Sequence, residues 1–410
     1  MSNCLIAQSG GPTSVINASL SGVISSSIES SAINTVYGSI NGIQGVLNNN
    51  LINLSSIFKD SKEKLERLKL TPSMFLGSCR YKLPNIEDDN EQYKLIFDIF
   101  KQNDIKYFFY IGGNDSMDTV LKLSQYAKAY KQDVKIIGIP KTIDNDLYGT
   151  DHTPGFGSAA KFVATTLLEI SYDTYIYDIP SVTIVEIMGR NAGWLTASSA
   201  LARNKNNSSP DLIYLPEVPF SIAEFIENLK QLQKKKRNIV VAVSEGIKDK
   251  NGNYICACQN STNDKFGHAK LSGTGKTLED IVCNELNCKV RSIELNVLQR
   301  SAMHIASLTD VTESTLVGKK AVEYALEGYT GKMVSIIRKN NNSYEYEITH
   351  VDIEKVANKE KRIPGEWISK DKNDITAPLL EYIKPLIYGE PNIEYKEGLP
   401  NYININHLFS

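Results

Sequence analysis

The sequence predicts an α/β protein built on parallel sheet. Three observations carry this expectation. Short apolar runs of strand length recur at 107–111, 134–139, 181–187 and 238–243, each followed in the chain by helix-period stretches. Strand after strand stops at glycine, as in Gly10-Gly11, Gly112-Gly113, Gly189 and Gly246. The same strand ends carry charged residues, and an open α/β sheet binds its ligands along that carboxyl edge.

Composition narrows the function. A chain of 410 residues can bury a large core, as one large domain or two of ordinary size. The hydrophobic fraction of 41%, the charged fraction of 22% and the formal net charge of −2 fit a soluble globular protein and argue against nucleic acid as a partner. Six cysteines, at 4, 79, 256, 258, 283 and 288, form no CxxC pair, which suits a reduced compartment. No apolar run approaches the ~18 residues of a spanning helix, and the strand-like start leaves no room for a signal peptide. The expectation is a cytoplasmic protein with no membrane partner.

Taken in order, the strand 5–7 ends at Gln8-Ser9-Gly10-Gly11, and a helix follows from about 15 to 28. Glycine permits a tight turn and close approach to a ligand, and the helix start offers unpaired N–H groups to an anion. The spacing is not GxGxxG, so the dinucleotide fingerprint fails. A turn at 77–81 presents Arg80. The unit recurs at 107–130, where Gly112-Gly113-Asn114-Asp115-Ser116 precedes a helix expected from Met117; Asp115 either caps that helix or sits beside a divalent cation. The run 134–139 stops at Pro140 and opens into Lys141-Thr142-Ile143-Asp144-Asn145-Asp146, followed by the glycine-rich turn 154–158, a further candidate anion-binding helix start. The strand 181–187 leads to Met188-Gly189-Arg190, and the strand 238–243 to Ser244-Glu245-Gly246. Helices are expected at 302–307 and 316–326, a strand at 333–338, and a packed C-terminal extension with Trp367, Leu379, Leu380 and Ile383. The run Gly273–Thr277 is not a P-loop, because Lys270 stands where its first glycine belongs and no strand precedes it.

Three cations (Arg80, Lys141, Arg190) and three carboxylates (Asp115, Asp144, Asp146) at strand ends suit phosphoryl transfer. That reaction needs positioning, a metal ion, cations for the charge on the transferring oxygens and a carboxylate for the acceptor's proton. There is no GxSxG, and the histidines at 152, 268, 304, 350 and 407 form no HExxH, so neither a serine nucleophile nor a zinc site is indicated.

Gly10-Gly11 with Asn17, residues 112–116, Pro140 to Asp146, Met188-Gly189-Arg190, Ser244-Glu245-Gly246 and Leu298-Gln299-Arg300 together resemble the ordered signature set of the 6-phosphofructokinase family, over about residues 3–310. The resemblance implies two similar Rossmann-like three-layer α/β domains with the active site between them. The expected division gives residues 1–150 and about 300–345 to the phosphoryl donor, and 151–299 with about 346–410 to fructose 6-phosphate. By motif, Asp144 resembles the base for the sugar 1-hydroxyl and Asp146 its partner in holding charge and magnesium. Gly11, Arg80, Asp115 and Ser116 resemble the donor-phosphate site, and Thr142, Met188, Gly189, Arg190 and Glu245 the sugar-phosphate site. Arg190 is also placed to stabilise the transferring group, and Arg291 and Arg300 resemble a cationic pair near the 6-phosphate. Asn114 stands where many members have a metal-binding aspartate, which leaves Asp115 and Asp146 as the magnesium ligands. Ser181 and Val297 stand where relatives have arginine and histidine for the sugar phosphate, so a partner subunit of a homodimer is another source of contacts there.

Nucleotide-using members typically have glycine at both the position of Asp115 and that of Lys141; the pair resembles the pyrophosphate-dependent branch. A carboxylate at 115 opposes a nucleotide's α-phosphate by roughly 4 kcal/mol at about 4 Å and an effective dielectric of about 20. Lys141 adds a point charge for pyrophosphate or product phosphate. The expected reaction is reversible transfer from magnesium pyrophosphate to fructose 6-phosphate, in glycolysis or gluconeogenesis. An ATP-dependent phosphofructokinase is the nearest alternative, and a catalytically silent sugar-phosphate sensor the alternative from another class.

Overall fold

The computed structural model describes residues 2–256, 273–340 and 343–404. Cys258, His268, Lys270 and His407 lie outside the described residues. The chain opens with β1 (Ser2–Gln8), β2 (Ile33–Ser39), β3 (Leu51–Asn53), β4 (Ile105–Gly112) and β5 (Lys135–Pro140). It then builds a separate four-stranded parallel sheet from β6 (Ser181–Ile187), β7 (Leu212–Tyr214), β8 (Asn238–Ser244) and β9 (Lys289–Glu294), in the order β7-β8-β6-β9. Finally it returns to the first sheet with β10 (Lys332–Asn340) and β11 (Glu345–Asp352), completing the order β11-β10-β5-β4-β1-β2-β3.

Period-2 alternation explains why each sheet is covered on both faces. On β1, Leu5 and Ala7 join a core with Tyr93, Phe100 and Phe108, while Cys4 and Ile6 join another with Ile16, Leu20 and Phe109. On β6, Val185 and Ile187 face one core and Val182 and Ile184 the other. The result is the expected pair of three-layer α/β units. Among the described residues no helix is long and apolar enough to cross a membrane.

Two elements depart from the sequence-based expectation. First, β11 pairs antiparallel with β10 from Glu345 to Asp352, so the first sheet runs past the boundary expected near 345. A strand there covers what would otherwise be the open edge of β10. Second, 302–326 holds a 3₁₀ turn at Met303–Ile305 and one helix, Leu308–Leu326, in place of helices at 302–307 and 316–326. The Ser307 side chain caps this helix on Asp310 N–H, and the polar first turns are buried because Asp310 and Glu313 have partners at Gly155 and His152, far away in the same chain. The C-terminal segment is packed, as expected: Leu379 and Ile383 are fully buried, in the same cluster as Ile143 of the 141–146 loop.

Candidate active site

The crevice lies at the carboxyl ends of β5, β4 and β1, which are adjacent and parallel. Because β2 and β4 flank β1 on opposite sides, β1/β4 is a topological switch point, where the following loops diverge and leave a cleft. Gly10 turns there with φ +81°, and a Cβ on it would stand 3.1 Å from the Lys141 ammonium. Lys141 N–H donates to Gly112 O at 3.0 Å, so β5 holds its first loop residue against the second glycine turn. Its side chain is 2% exposed, and Nζ donates to Gly11 O at 2.7 Å. Burial lowers the ammonium to about 8, against the opposing pull of Asp144, Asp146 and Asp115. One cation therefore feels three carboxylates from two loops.

The next turn presents Asp144 and Asp146 on either side of Asn145. Asn145 has φ 54°, a left-handed conformation asparagine tolerates, and is fully buried. Its Nδ2 donates to Tyr382 OH at 2.9 Å, and its Oδ1 accepts from Thr153 N–H at 3.1 Å and Lys361 Nζ at 3.3 Å. Thr142 Oγ1 accepts from Asp144 N–H at 3.1 Å. Burial raises the Asp144 carboxyl above the ordinary range, while Lys141, the Thr142 hydroxyl, Arg190 and Arg300 pull it back. Burial, then Asp144, then Glu360 push Asp146 to about 7.

The second sheet contributes the loops after β6 and β8, strands that pair directly. Ser244 Oγ donates to Gly189 O at 2.6 Å, and Gly189 N–H to Glu245 Oε1 at 3.3 Å. Gly246 leaves no room for a side chain, since a Cβ would fall 2.0 Å from Arg190 O. Met188 N–H donates to Gln299 Oε1 at 3.3 Å. Burial raises Glu245 to about 7, with Asp144 among the groups that add to it. Arg300 lies against the glycine turn, its Nη1 3.3 Å from where a Cβ on Gly11 would be. Its charge interacts with Arg80, Asp144 and Glu245. Among the described residues, the Nε atoms of Arg190 and Arg300 are buried without a hydrogen-bond partner. Two half-buried guanidinium groups, each with an Nε donor left unpaired, suit an anion.

Most of the residues singled out in the sequence thus converge: Gly11, Lys141, Thr142, Asp144, Asp146, Met188, Gly189, Arg190, Glu245 and Arg300. Arg80 is exposed at the mouth. Its loop is anchored by Asn17, which accepts from Phe75 N–H at 3.0 Å and donates to Thr71 O at 2.9 Å, and by Ser78, which donates to Gly10 O at 2.7 Å. Asp115 and Ser116 belong to the first turn of the helix Asn114–Ala129, which starts three residues earlier than expected because a carboxylate is favoured at a helix N-terminus. Ser116 is 2% exposed and fills the space beside Gly112.

Arg291 stands apart from Arg300, contrary to the expected cationic pair. It is in β9 opposite Thr183, about 13 Å short of the end of β6 at ~3.3 Å per residue, and pairs with Asp173 at 2.9 Å. Ser181 lies still further back, at the start of β6, and Val297 is exposed. The turn 154–158 is also not an anion site: the Asp310 carboxylate accepts from Gly155 N–H at 2.9 Å and Ser158 N–H at 2.8 Å, filling the helix start from within.

A divalent cation would need oxygen donors. Asn114 Nδ2 donates to Asp146 Oδ2 at 3.2 Å, which leaves Asn114 Oδ1 buried without a partner among the described residues. An orphaned carbonyl oxygen beside Asp146, with Asp115 in the next position, fits such an ion. No group of three or more His, Cys, Asp or Glu side chains forms a closed cage among the described residues, so a bound cation would draw its other ligands from substrate phosphate and water.

The phosphofructokinase family model matches residues 3–325. The chain belongs to this family. It is 41% identical over 409 residues to the pyrophosphate--fructose 6-phosphate 1-phosphotransferase of Xanthomonas campestris pv. campestris, covering 99% of this chain and 96% of that one. The protein of that name from Methylococcus capsulatus is 40% identical, with 98% and 96% covered. The crystal structure of a pyrophosphate-dependent phosphofructokinase from Nitrosospira multiformis superposes with a TM-score of 0.89 at 37% identity, covering 98% of this chain and 96% of that one. Phosphotransferases of this family generally use a divalent metal.

Sequence reading missed the support beneath the family's loops: Lys361, Tyr382 and the His152 cluster, whose partners are far away in the chain. His152, 1% exposed, lies between Glu313 (Nε2 to Oε2, 2.6 Å) and Asp151 (Nδ1 to Oδ1, 2.9 Å). Its carboxylate partners raise it from 6.5 to about 9 although burial opposes them. A raised value stabilises the fold fully below pH 6.5, and the contribution is lost as pH rises through about 9. Thermal melts should therefore lose midpoint between these limits more steeply for the unaltered protein than for His152→Gln. Parallel declines would remove His152 as the cause.

Proposed function

We propose that the protein transfers a phosphoryl group reversibly from pyrophosphate to the 1-hydroxyl of fructose 6-phosphate, giving fructose 1,6-bisphosphate and orthophosphate. The observation that carries the reading is the buried Lys141 ammonium on Gly11 O, interacting with Asp144, Asp146 and Asp115 together. Relatives that cover nearly the whole chain support the same donor and acceptor by their names.

In this reading the units divide the work. The seven-stranded sheet carries the donor site, with Gly11, Arg80, Asp115 and Ser116 around pyrophosphate. The four-stranded sheet carries the sugar site, with Thr142 from the shared loop and Met188, Gly189, Arg190 and Glu245. Asp144 removes the proton of the 1-hydroxyl as that oxygen bonds to phosphorus and the bridging P–O bond breaks. Its raised affinity for protons favours this task. Lys141 and Arg190 offset the charge on the transferring and departing oxygens. Magnesium, held by Asp115 and Asp146 with Asn114 Oδ1 beside them, would supply positive charge to the phosphate oxygens. Arg300 serves an anionic substrate group, and Arg291, remote in its own chain, belongs with a homodimer in which subunits complete each other's 6-phosphate contacts. The reading places the enzyme in the cytoplasm.

Initial rates at equal pyrophosphate and ATP should favour pyrophosphate strongly, and matching rates would overturn the donor assignment. Asp115→Gly, alone or with Lys141→Gly, should raise the ATP-to-pyrophosphate rate ratio, since it removes a repulsion of roughly 4 kcal/mol; an unmoved ratio would dismiss that cause. For the base, Asp144→Ser should lower kcat by about 10³-fold or more with KM values little changed. Near-normal turnover would reject it.

A further inference from the structure

Residues 358–361 reach two of the loops that line the cleft and the helix that follows a third. Asn358, itself at φ 61°, donates Nδ2 to Asp118 Oδ1 at 2.9 Å, on the helix that begins at the second glycine turn. Glu360 forms an isolated antiparallel bridge with Leu147 and accepts from Asn191 Nδ2 at 2.8 Å, next to Arg190. Lys361 N–H donates to Asp146 O at 2.7 Å. Its Nζ donates to Asn145 Oδ1 at 3.3 Å, Thr150 O at 3.3 Å and Asp151 O at 2.5 Å. The Lys361 carbonyl accepts from Trp194 Nε1 at 3.1 Å, and the ammonium stands 5.1 Å from the centre of that indole ring.

The geometry points to residues 358–361 as a strap that sets the spacing between the Asp144–Asp146 turn and the Arg190 loop, with Lys361 as its positioning residue. The two loops follow β5 and β6, strands of different sheets, so no ladder hydrogen bond fixes one against the other. The strap does so directly, from Asp146 O through two residues to Asn191. Lys361 touches none of the groups assigned to the chemistry by its side chain except through Asn145. Its three carbonyl acceptors lie within the carboxylate turn, at 145, and just beyond it, at 150 and 151, so one ammonium gathers the turn and the segment that follows it around a single point. A carboxylate and a guanidinium that must meet across a reacting phosphoryl group tolerate little error, and a misplacement of about 1 Å can cost about 10²-fold in rate.

The inference rests on Asp144 and Arg190 being the reacting pair, and its test is kept separate from the donor assignment by using whichever of pyrophosphate or ATP the unaltered protein prefers. In Lys361→Met, kcat should fall about 100-fold with both KM values within about threefold, and Lys361→Arg should recover about a tenth or more of the rate. Glu360→Ala removes the Asn191 tether from an exposed position and should lower kcat about tenfold with the melting midpoint unchanged, which keeps the test open if Lys361→Met does not fold. Unchanged kcat in Glu360→Ala, or a Lys361→Met enzyme that melts lower yet turns over normally, would overturn the strap.

Discussion

The buried ammonium of Lys141 is the constraint on which the cleft depends. A cation at 2% exposure is costly unless anions and hydrogen-bond acceptors surround it, and the carboxylates at 144 and 146 would be as costly without the cation. Each makes the other tenable. The glycines of the first turn follow from this arrangement: Gly10 leaves the space that Nζ fills, and Gly11 offers its carbonyl to Nζ. A side chain at residue 10 would meet the ammonium and would be strained by the left-handed backbone as well.

Holding charges close in a dry place demands a rigid frame. The first sheet supplies β1, β4 and β5 side by side, and the second supplies β6 and β8. Between them, the Asp144–Asp146 turn is fastened by the fully buried side chain of Asn145 to Tyr382, Thr153 and Lys361. Two of these three anchors come from the last fifty residues. The C-terminal segment is therefore structural support for the reacting groups, and its apolar residues share a core with Ile143 of the same turn. Beneath it, His152 ties the turn's far end to the helix Leu308–Leu326 through Glu313.

What could be read from the sequence divides along physical lines. The strands β6 and β8 were legible because they are buried on both faces and read as continuous apolar runs bounded by glycine. The glycine turns and the carboxylates between them were legible as motifs, since close phosphate approach restricts the residue types that fit. The strand β9 was not: KVRSIE sits at a sheet edge, half-exposed, and carries no apolar period. With it went the place of Arg291, which belongs to that strand and not to the cleft of its own chain. The helix Leu308–Leu326 was cut short because its first turns look polar, yet Asp310 and Glu313 are buried and bonded to segments some 150 residues away. Lys361 and Tyr382 leave no local trace at all. Their partners lie more than 200 residues earlier, and no spacing rule reaches that far.

The central claim is that this charge cluster is built for pyrophosphate and phosphate and not for a nucleotide. The reverse reaction tests it most directly, because orthophosphate must then occupy the place beside Lys141 unaided. Given fructose 1,6-bisphosphate, orthophosphate and magnesium with no nucleotide, the protein should form pyrophosphate and fructose 6-phosphate at a rate of the same order as the forward reaction. A reverse reaction that proceeds only when ADP replaces orthophosphate would contradict the account.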